Sequence, residues 1–259
     1  EEDSFTPTGT DYYSNHYYYG LFGMVAYQVE IRHLTVQGEI IITETAEDET
    51  IKDRDIFVGG FVGDAKRDVQ FVDCTSKVNI TVNIKQTENG STIVRAGGIN
   101  GGDTENNVHI YFTDCRNEGD LDVQIQGRTA WAVIGGLQGD AGVDVNFYNC
   151  KNSGEIRGNG QASSGGVAVY AGGIVGRFLV SHELLQCENH GDVTAFADTK
   201  ADDFVVGTFH SVAGGIIGYS GKAAVVVTNP LNTGTITAYS PNPKVKVASG
   251  EIQGKIVQE

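Results

Sequence analysis

The sequence predicts an all-β fold: a right-handed parallel β-helix-like solenoid of about six coils. The first reason is a motif of two glycines, an apolar residue, any residue and a third glycine, which recurs along the 259 residues. Five copies are clear and a sixth, near the start, is degenerate. The second glycine of each copy serves as a marker, at Gly20, Gly60, Gly98, Gly136, Gly173 and Gly215. The markers are 37 to 42 residues apart, a period that is typical of repeat architectures.

The second reason is that each repeat contains three strand-like runs. The first run ends at the glycine pair, as in residues 168–171, the second leads to a cysteine, as in 145–147, and the third follows a glycine, as in 154–156. Apolar residues alternate along these runs, which indicates strands with one buried face. Such repeats bury that face by stacking, so that each strand pairs with its equivalent about 4.8 Å away in the next coil.

The third reason is that equivalent positions of successive repeats hold the same residue. One position holds Cys74, Cys115, Cys150 and Cys187, and the position two residues later holds Asn117, Asn152, Asn189 and Asn232. Cysteines stacked on parallel strands lie too far apart for a disulfide bond, so we expect buried, free thiols. Stacked asparagines are expected to pass amide hydrogen bonds from coil to coil. The apolar pattern changes parity just before the cysteine, which predicts a bend of the chain there.

A six-bladed β-propeller is the alternative fold, because its repeat period is similar. It is disfavoured because propeller blades have four strands, whereas we count three, and because ladders of inward residues require stacked coils.

Within one domain we distinguish an N-terminal cap (1–18), six repeats (19–240) and a C-terminal closing strand or cap (241–259). The segments between the third run and the next glycine pair vary in length and are predicted to be loops.

Composition narrows the range of functions. Thirty-three acidic residues against 18 basic ones give a formal charge of -15, which argues against nucleic acid or an anionic membrane as a partner. No apolar run approaches the ~20 residues of a membrane span, so we expect no membrane insertion. The hydrophobic content of 40% is enough for a buried core and argues against disorder.

The repeat resembles a known family. The run Gly-Gly-Ile-Val-Gly (172–176) and the later run Cys-Glu-Asn-His-Gly-Asp-Val-Thr (187–194) are similar to the GLUG repeat of bacterial cell-surface proteins. Residues 115–121 and 150–156 match the second half as well, and the resemblance covers about 19–240. The outer repeats depart from the pattern, with Leu34, Ser76, Val78 and Pro230. The resemblance implies that the chain is extracellular and belongs to an adhesin-like protein. It implies no catalytic residue.

The main candidate for a binding surface is the outward side of the first run. Residues expected to line up on or beside it include Phe57, Arg95, Trp131, Tyr170 and His210. Exposed aromatic rings there would stack on sugar rings or on a protein. A glycan or a host or extracellular protein is therefore the expected partner, and the sequence leaves the oligomeric state open. The alternative is that a loop covers this face and turns it into a second small core.

We expect no catalysis and no cofactor. The alternative is a carbohydrate-active β-helix enzyme, a glycosidase or lyase, because paired loop carboxylates can cleave glycosides. The best candidates for such carboxylates occupy equivalent positions of successive repeats, at Glu39, Asp120, Glu155 and Asp192. Asn79 interrupts this column and Thr235 ends it.

Calcium is the metal that the acidic loops would suit best, because carboxylate oxygens are hard ligands. Its candidate ligands share a loop without EF-hand spacing and are Asp198, Asp202 and Asp203. Together these features predict a non-catalytic module for adhesion or ligand recognition at a bacterial surface. A spacer stalk that binds nothing is the remaining possibility.

Overall fold

The chain is an all-β parallel solenoid, as predicted. The computed structural model describes residues 15–45, 53–86, 90–103, 108–180, 182–200, 209–220 and 225–254. All regular secondary structure within these ranges is β-strand, and equivalent strands of successive coils pair in parallel. A search of the same residues for a helix that could cross a membrane finds none.

The strands form four sheets that run along the solenoid. The first sheet has seven strands, in the order β1 (Asn15–Tyr19), β5 (Asp53–Gly59), β9 (Ser91–Gly97), β14 (Thr129–Gly135), β19 (Val167–Gly172), β24 (Phe209–Gly214) and β29 (Lys246–Gly250). The second has six: β2 (Phe22–Val25), β6 (Val62–Ala65), β10 (Asn100–Asp103), β15 (Gln138–Ala141), β20 (Val175–Phe178) and β25 (Ile217–Ser220).

The third sheet also has six strands: β26 (Val225–Thr228), β21 (His182–Leu185), β16 (Asp144–Tyr148), β11 (His109–Thr113), β7 (Val69–Val72) and β3 (Val29–Arg32). The fourth, called the long sheet below, follows the path β27 (Leu231–Asn232), β22 (Glu188–Asn189), β17 (Lys151–Asn152), β12 (Arg116–Asn117), β8 (Thr75–Lys85), β13 (Leu121–Gly127), β18 (Ile156–Ala162), β23 (Val193–Thr199) and β28 (Ile236–Tyr239). Strand β4 (Thr35–Thr45) also pairs with β8.

Each coil therefore contributes to four sheets, one more than the three strand-like runs predicted. The sheet that was missed is formed by the short strands after the glycine pair, such as β6 or β10. All four residues of these strands are buried, so they lack the alternation by which strands are recognised in a sequence. The strand count thus does not exclude a propeller. The parallel pairing of equivalent strands does, because propeller blades are antiparallel.

The predicted bend before the cysteine position is confirmed and has a backbone cause. Six non-glycine residues have φ between 50° and 55°, in the left-handed region, and they are His33, Asp73, Asp114, Asn149, Gln186 and Asn229. Asn and Asp enter this region more readily than most residues because their short polar side chains bond locally. One left-handed residue per coil separates the third sheet from the long sheet.

Stacked side chains fill the interior. Phe71, Phe112 and Phe147 stack with ring centroids 4.9 and 4.7 Å apart. The four cysteines are free and buried, as predicted. Their thiols lie against carbonyl oxygens of the preceding coil, as Cys115 Sγ does 3.3 Å from Phe71 O. The cysteines therefore act as small core residues.

The asparagine ladder is also confirmed. The Asn152 side chain is fully buried, and its Nδ2 donates to Gly154 O and to Asn189 Oδ1, both at 2.8 Å. Its Oδ1 accepts from Asn117 Nδ2, also at 2.8 Å. The ladder continues to Asn232. It links successive coils through buried hydrogen bonds whose partners are all supplied by the repeat.

The described residues of the two terminal segments belong to strands of the first sheet. Residues 1–14 of the predicted cap (1–18) lie outside the described residues. Its remaining residues belong to β1, which pairs with β5 from Asn15 onward. The first coil therefore begins before residue 19. Within the predicted closing segment (241–259), β29 pairs with β24 and forms the last strand of the first sheet.

Candidate binding surfaces

The outward side of the first sheet is largely closed. Phe57 is fully buried and Tyr170 is 3% exposed, so the expectation of exposed rings is wrong for both. The alternative of a second small core fits better, since Val133, Ala168, Tyr170 and Val212 form a separate buried cluster with Trp131 and Tyr219 packed against it. Trp131, Arg95 and His210 keep partial exposure.

The cover over this face is the second sheet. The chain turns at the glycine pair, and outward side chains of the second sheet then lie against those of the first. The ring of Tyr219 on the second sheet stacks on Tyr170 of the first with centroids 4.7 Å apart, and Arg95 of the first sheet bonds Asp140 of the second at 3.0 Å. Within the first sheet, Arg95 also lies over the ring of Phe57 at 4.6 Å. We call this contact region the inner corner.

A buried ion network occupies the middle of the inner corner. The side chain of Asp140 is 6% exposed and accepts bonds from Arg95 Nε at 3.0 Å and from Arg177 Nε at 2.9 Å. Arg95 also pairs with Asp55. Burial alone would raise the pKa of Asp140, but Arg177 and Arg95 together hold it below its usual value. For Asp55, burial is the larger effect and raises the pKa.

Asp140, Arg177 and Tyr219 were not predicted from the sequence. They occupy equivalent positions of the second sheet, directly after the third glycine of the motif. The recurrence of a charged or aromatic residue directly after that glycine could have predicted an outward position shared by successive coils. It was overlooked because the segment had not been recognised as a strand.

His210 is bonded to Tyr170 at one end of the inner corner. Tyr170 Oη lies 2.7 Å from His210 Nδ1. Burial, followed by the nearby charge of Lys246, lowers the pKa of His210 to about 4. The ring is therefore neutral at pH 7 and shares one hydrogen bond with the Tyr170 hydroxyl. These contacts make His210 part of the closed corner and leave it little freedom to bind a ligand.

We predict that His210 titrates near pH 4 in the folded protein. Because this pKa is below the usual value of about 6.5, the folded protein binds a proton at His210 only at a lower pH than the unfolded chain does. The contribution of neutral His210 to folding stability is therefore complete above about pH 6.5 and is lost as the pH falls to about 4. Histidine proton chemical shifts followed by NMR, with His210→Gln to assign the signal, measure the midpoint. A midpoint near 6.5 would contradict the buried geometry.

The outward side of the long sheet is open, and we call it the polar face. Its central column lies on successive strands in register, at Thr43, Asn83, Gln124, Asn159, Phe196 and Tyr239. The ring centroids of Phe196 and Tyr239 are 4.8 Å apart, and Tyr239 is 52% exposed. A second column lies beside it at Thr45, Lys85, Gln126, Gln161 and Asp198. The polar face thus combines carboxamides, charges and an aromatic pair.

The calcium candidates are only partly described. Asp198 belongs to β23, and its Oδ1 accepts from the Thr199 amide at 2.9 Å. Asp202 and Asp203 lie outside the described residues. Within the part of the chain that the structure describes, no three His, Cys, Asp or Glu side chains come together as metal ligands.

The carboxylate column of the enzyme alternative makes backbone contacts between coils. Asp120 Oδ1 accepts from the amide of Glu155 at 2.8 Å, and Asp192 Oδ1 accepts from that of Thr235 at 2.7 Å. Asn79 makes the same contact with the amide of Asp120 at 3.0 Å. Because an uncharged amide does this as well, the position serves the stacking of coils whether or not it holds an acid.

Comparisons with protein-family models, with curated proteins and with solved structures found no match to this chain.

Proposed function

We propose that the chain is a non-catalytic recognition module of a bacterial surface protein and that it binds an extended glycan on the polar face. The observation that carries the proposal is the central column of that face. Carboxamides both donate and accept hydrogen bonds, as sugar hydroxyls require. The paired rings of Phe196 and Tyr239 offer apolar surface for a sugar ring.

The backbone supports this role. The polar face stands on parallel strands whose equivalent residues pair over five or more coils. Such a surface is ordered before a ligand arrives, so binding costs little conformational entropy. Side chains at a regular spacing of about 4.8 Å suit a ligand that repeats along its own length, as a polysaccharide does.

Two further observations favour binding over cleavage. Asp120 and Asp192 are engaged with backbone amides, and Asp140 is buried between two arginines. Hydrolysis of a glycoside needs two carboxyl groups that flank an accessible ligand.

The proposed location at the bacterial surface rests on the resemblance to GLUG repeats, and the net charge of -15 is compatible with it.

An array of polysaccharides and host matrix proteins, probed with the full chain with and without calcium, tests the proposal. Product analysis of the same polysaccharides accompanies it. We expect binding to one class of glycan, independent of calcium and without cleavage. Cleavage products would support the enzyme alternative, and binding to matrix proteins alone would indicate a protein partner. No binding at all would favour the spacer stalk.

A further inference from the structure

A groove lies at the edge of the polar face where several strands of the long sheet end. It encloses about 300 Å³. Strands β8, β13 and β18 end there, and β23 lies beside them. The polar side chains that line it are Lys85, Gln86, Gln126, Gln161, Ser163 and Lys200, with Asp198 at the same edge.

The most informative residue of the groove is Gln86. It is 6% exposed, and among the described residues neither Oε1 nor Nε2 of its carboxamide has a hydrogen-bond partner. The hydroxyl oxygen of Ser163 is likewise buried and has no partner in the described part of the chain. Burying a polar group without a partner is unfavourable because its hydrogen bonds to water are lost, so native proteins rarely keep one without a reason. An acceptor and a donor on one side chain match the hydroxyl groups of a polyol.

The charges at the groove indicate what else the ligand carries. Lys85 and Lys200 are exposed, and neither forms an ion pair with any residue that the structure describes. The two ammonium groups outnumber the one carboxylate at this edge, Asp198, so the charge of the groove favours an anion. In a chain with 33 acidic and 18 basic residues, two lysines at one groove are a local exception to the overall charge.

The size of the groove limits the ligand. Small-molecule sites range from roughly 300 to 1,000 Å³, so this groove is at the lower end and suits about one sugar ring. We propose that it binds a hexuronate unit, a pyranose ring that carries a carboxylate, with its hydroxyls at Gln86 and Ser163 and its carboxylate at Lys85 and Lys200. The inference rests on the proposed function, because it specifies one sugar of the glycan bound by the polar face.

The test compares two matched pairs of sugars with the full chain by saturation-transfer NMR. Galacturonic and glucuronic acid are the probes, and galactose and glucose are their uncharged counterparts. We expect at least one acid to bind at least tenfold more tightly than its counterpart. Gln86→Met, which keeps the volume and removes the unsatisfied amide, is expected to weaken that binding at least tenfold. The double variant Lys85→Gln with Lys200→Gln is expected to remove the preference for the acid.

Gln70→Met is the matched control, since Gln70 is exposed on β7 of the third sheet. Thermal unfolding of each variant shows that the fold is retained. Equal binding of acids and neutral sugars, or unchanged binding by Gln86→Met, would overturn the assignment. If neither acid binds while a glycan of the array does, the groove proposal fails and the proposed function stands. If the array is silent as well, both fail.

Discussion

Replacing Gly136 by alanine is expected to destabilise the fold by about 3 kcal/mol or more, because the new methyl group has no room. A Cβ at this position would overlap the carbonyl oxygen of Gly173 in the next coil and would lie 2.6 Å from Asn152 Cγ. Backbone of the neighbouring coil cannot move away without breaking the parallel ladder, and the carboxamide is held in the buried asparagine ladder. Chemical denaturation of the two proteins measures the loss.

Gly102→Ala is the matched control for this prediction. A Cβ at Gly102 would meet only side chains, with Phe57 Cδ1 at 3.1 Å and the Arg95 side chain at 3.3 Å. These atoms can shift by a few tenths of an ångström, so we expect a clearly smaller loss. Equal effects of the two substitutions would show that the close approach of coils at the glycine pair is not what excludes a side chain there.

Replacing Asp140 by asparagine is expected to cost about 3–5 kcal/mol, since removal of one partner leaves buried charge uncompensated. Arg177 would lose the negative charge that it pairs with and one of its two acceptor oxygens, and Arg95 would keep only Asp55 as an anionic partner. Asp122→Asn on the long sheet is the control, because its carboxylate bonds only an exposed Gln124. An equally small effect of both substitutions would contradict a buried network at the inner corner.

The acid side of the stability profile gives a second measurement on Asp140. Its folded pKa lies below the usual value, so the stabilisation is complete above about pH 4, the value in an unfolded chain. It is lost as the pH falls through the folded pKa. The Asp140→Asn protein is therefore expected to lose less stability than the parent protein over this range.

The repeat made most of the architecture predictable from the sequence. Cys150 and Asn152 recur at equivalent positions of successive repeats, which is what stacked coils require, and each has the contact expected of it. The bend before the cysteine position followed from a change in the parity of the apolar pattern. These features were accessible because they depend on the order of residues within one repeat and on its recurrence.

The inner corner was not predictable in the same way. Arg95 and Asp140 are 45 residues apart and meet only because the second sheet turns back onto the outward side of the first. That sheet is made of short buried strands such as β6, in which the apolar alternation is missing. An outward residue such as Phe57 therefore looked exposed, although a neighbouring sheet covers it.

The polar face was overlooked for a different reason. Asn83, Gln124 and Asn159 have no distinctive local motif, and they form a column only through the register of the strands. Gln86 was missed because a polar residue at the end of a strand resembles the start of a loop. Its burial and its lack of partners are properties of the folded chain.

The most direct test of the central claim is the affinity of the full chain for its strongest array glycan, measured before and after Tyr239→Ala. Tyr111→Ala is the control, because Tyr111 is a comparably exposed ring, 40% against 52%, on the third sheet. If the polar face binds the glycan, Tyr239→Ala weakens binding at least tenfold, which corresponds to about 1.4 kcal/mol or more. Tyr111→Ala leaves it unchanged. Unchanged binding by the Tyr239 variant, or equal losses in both, would contradict the assignment of the ligand to the polar face.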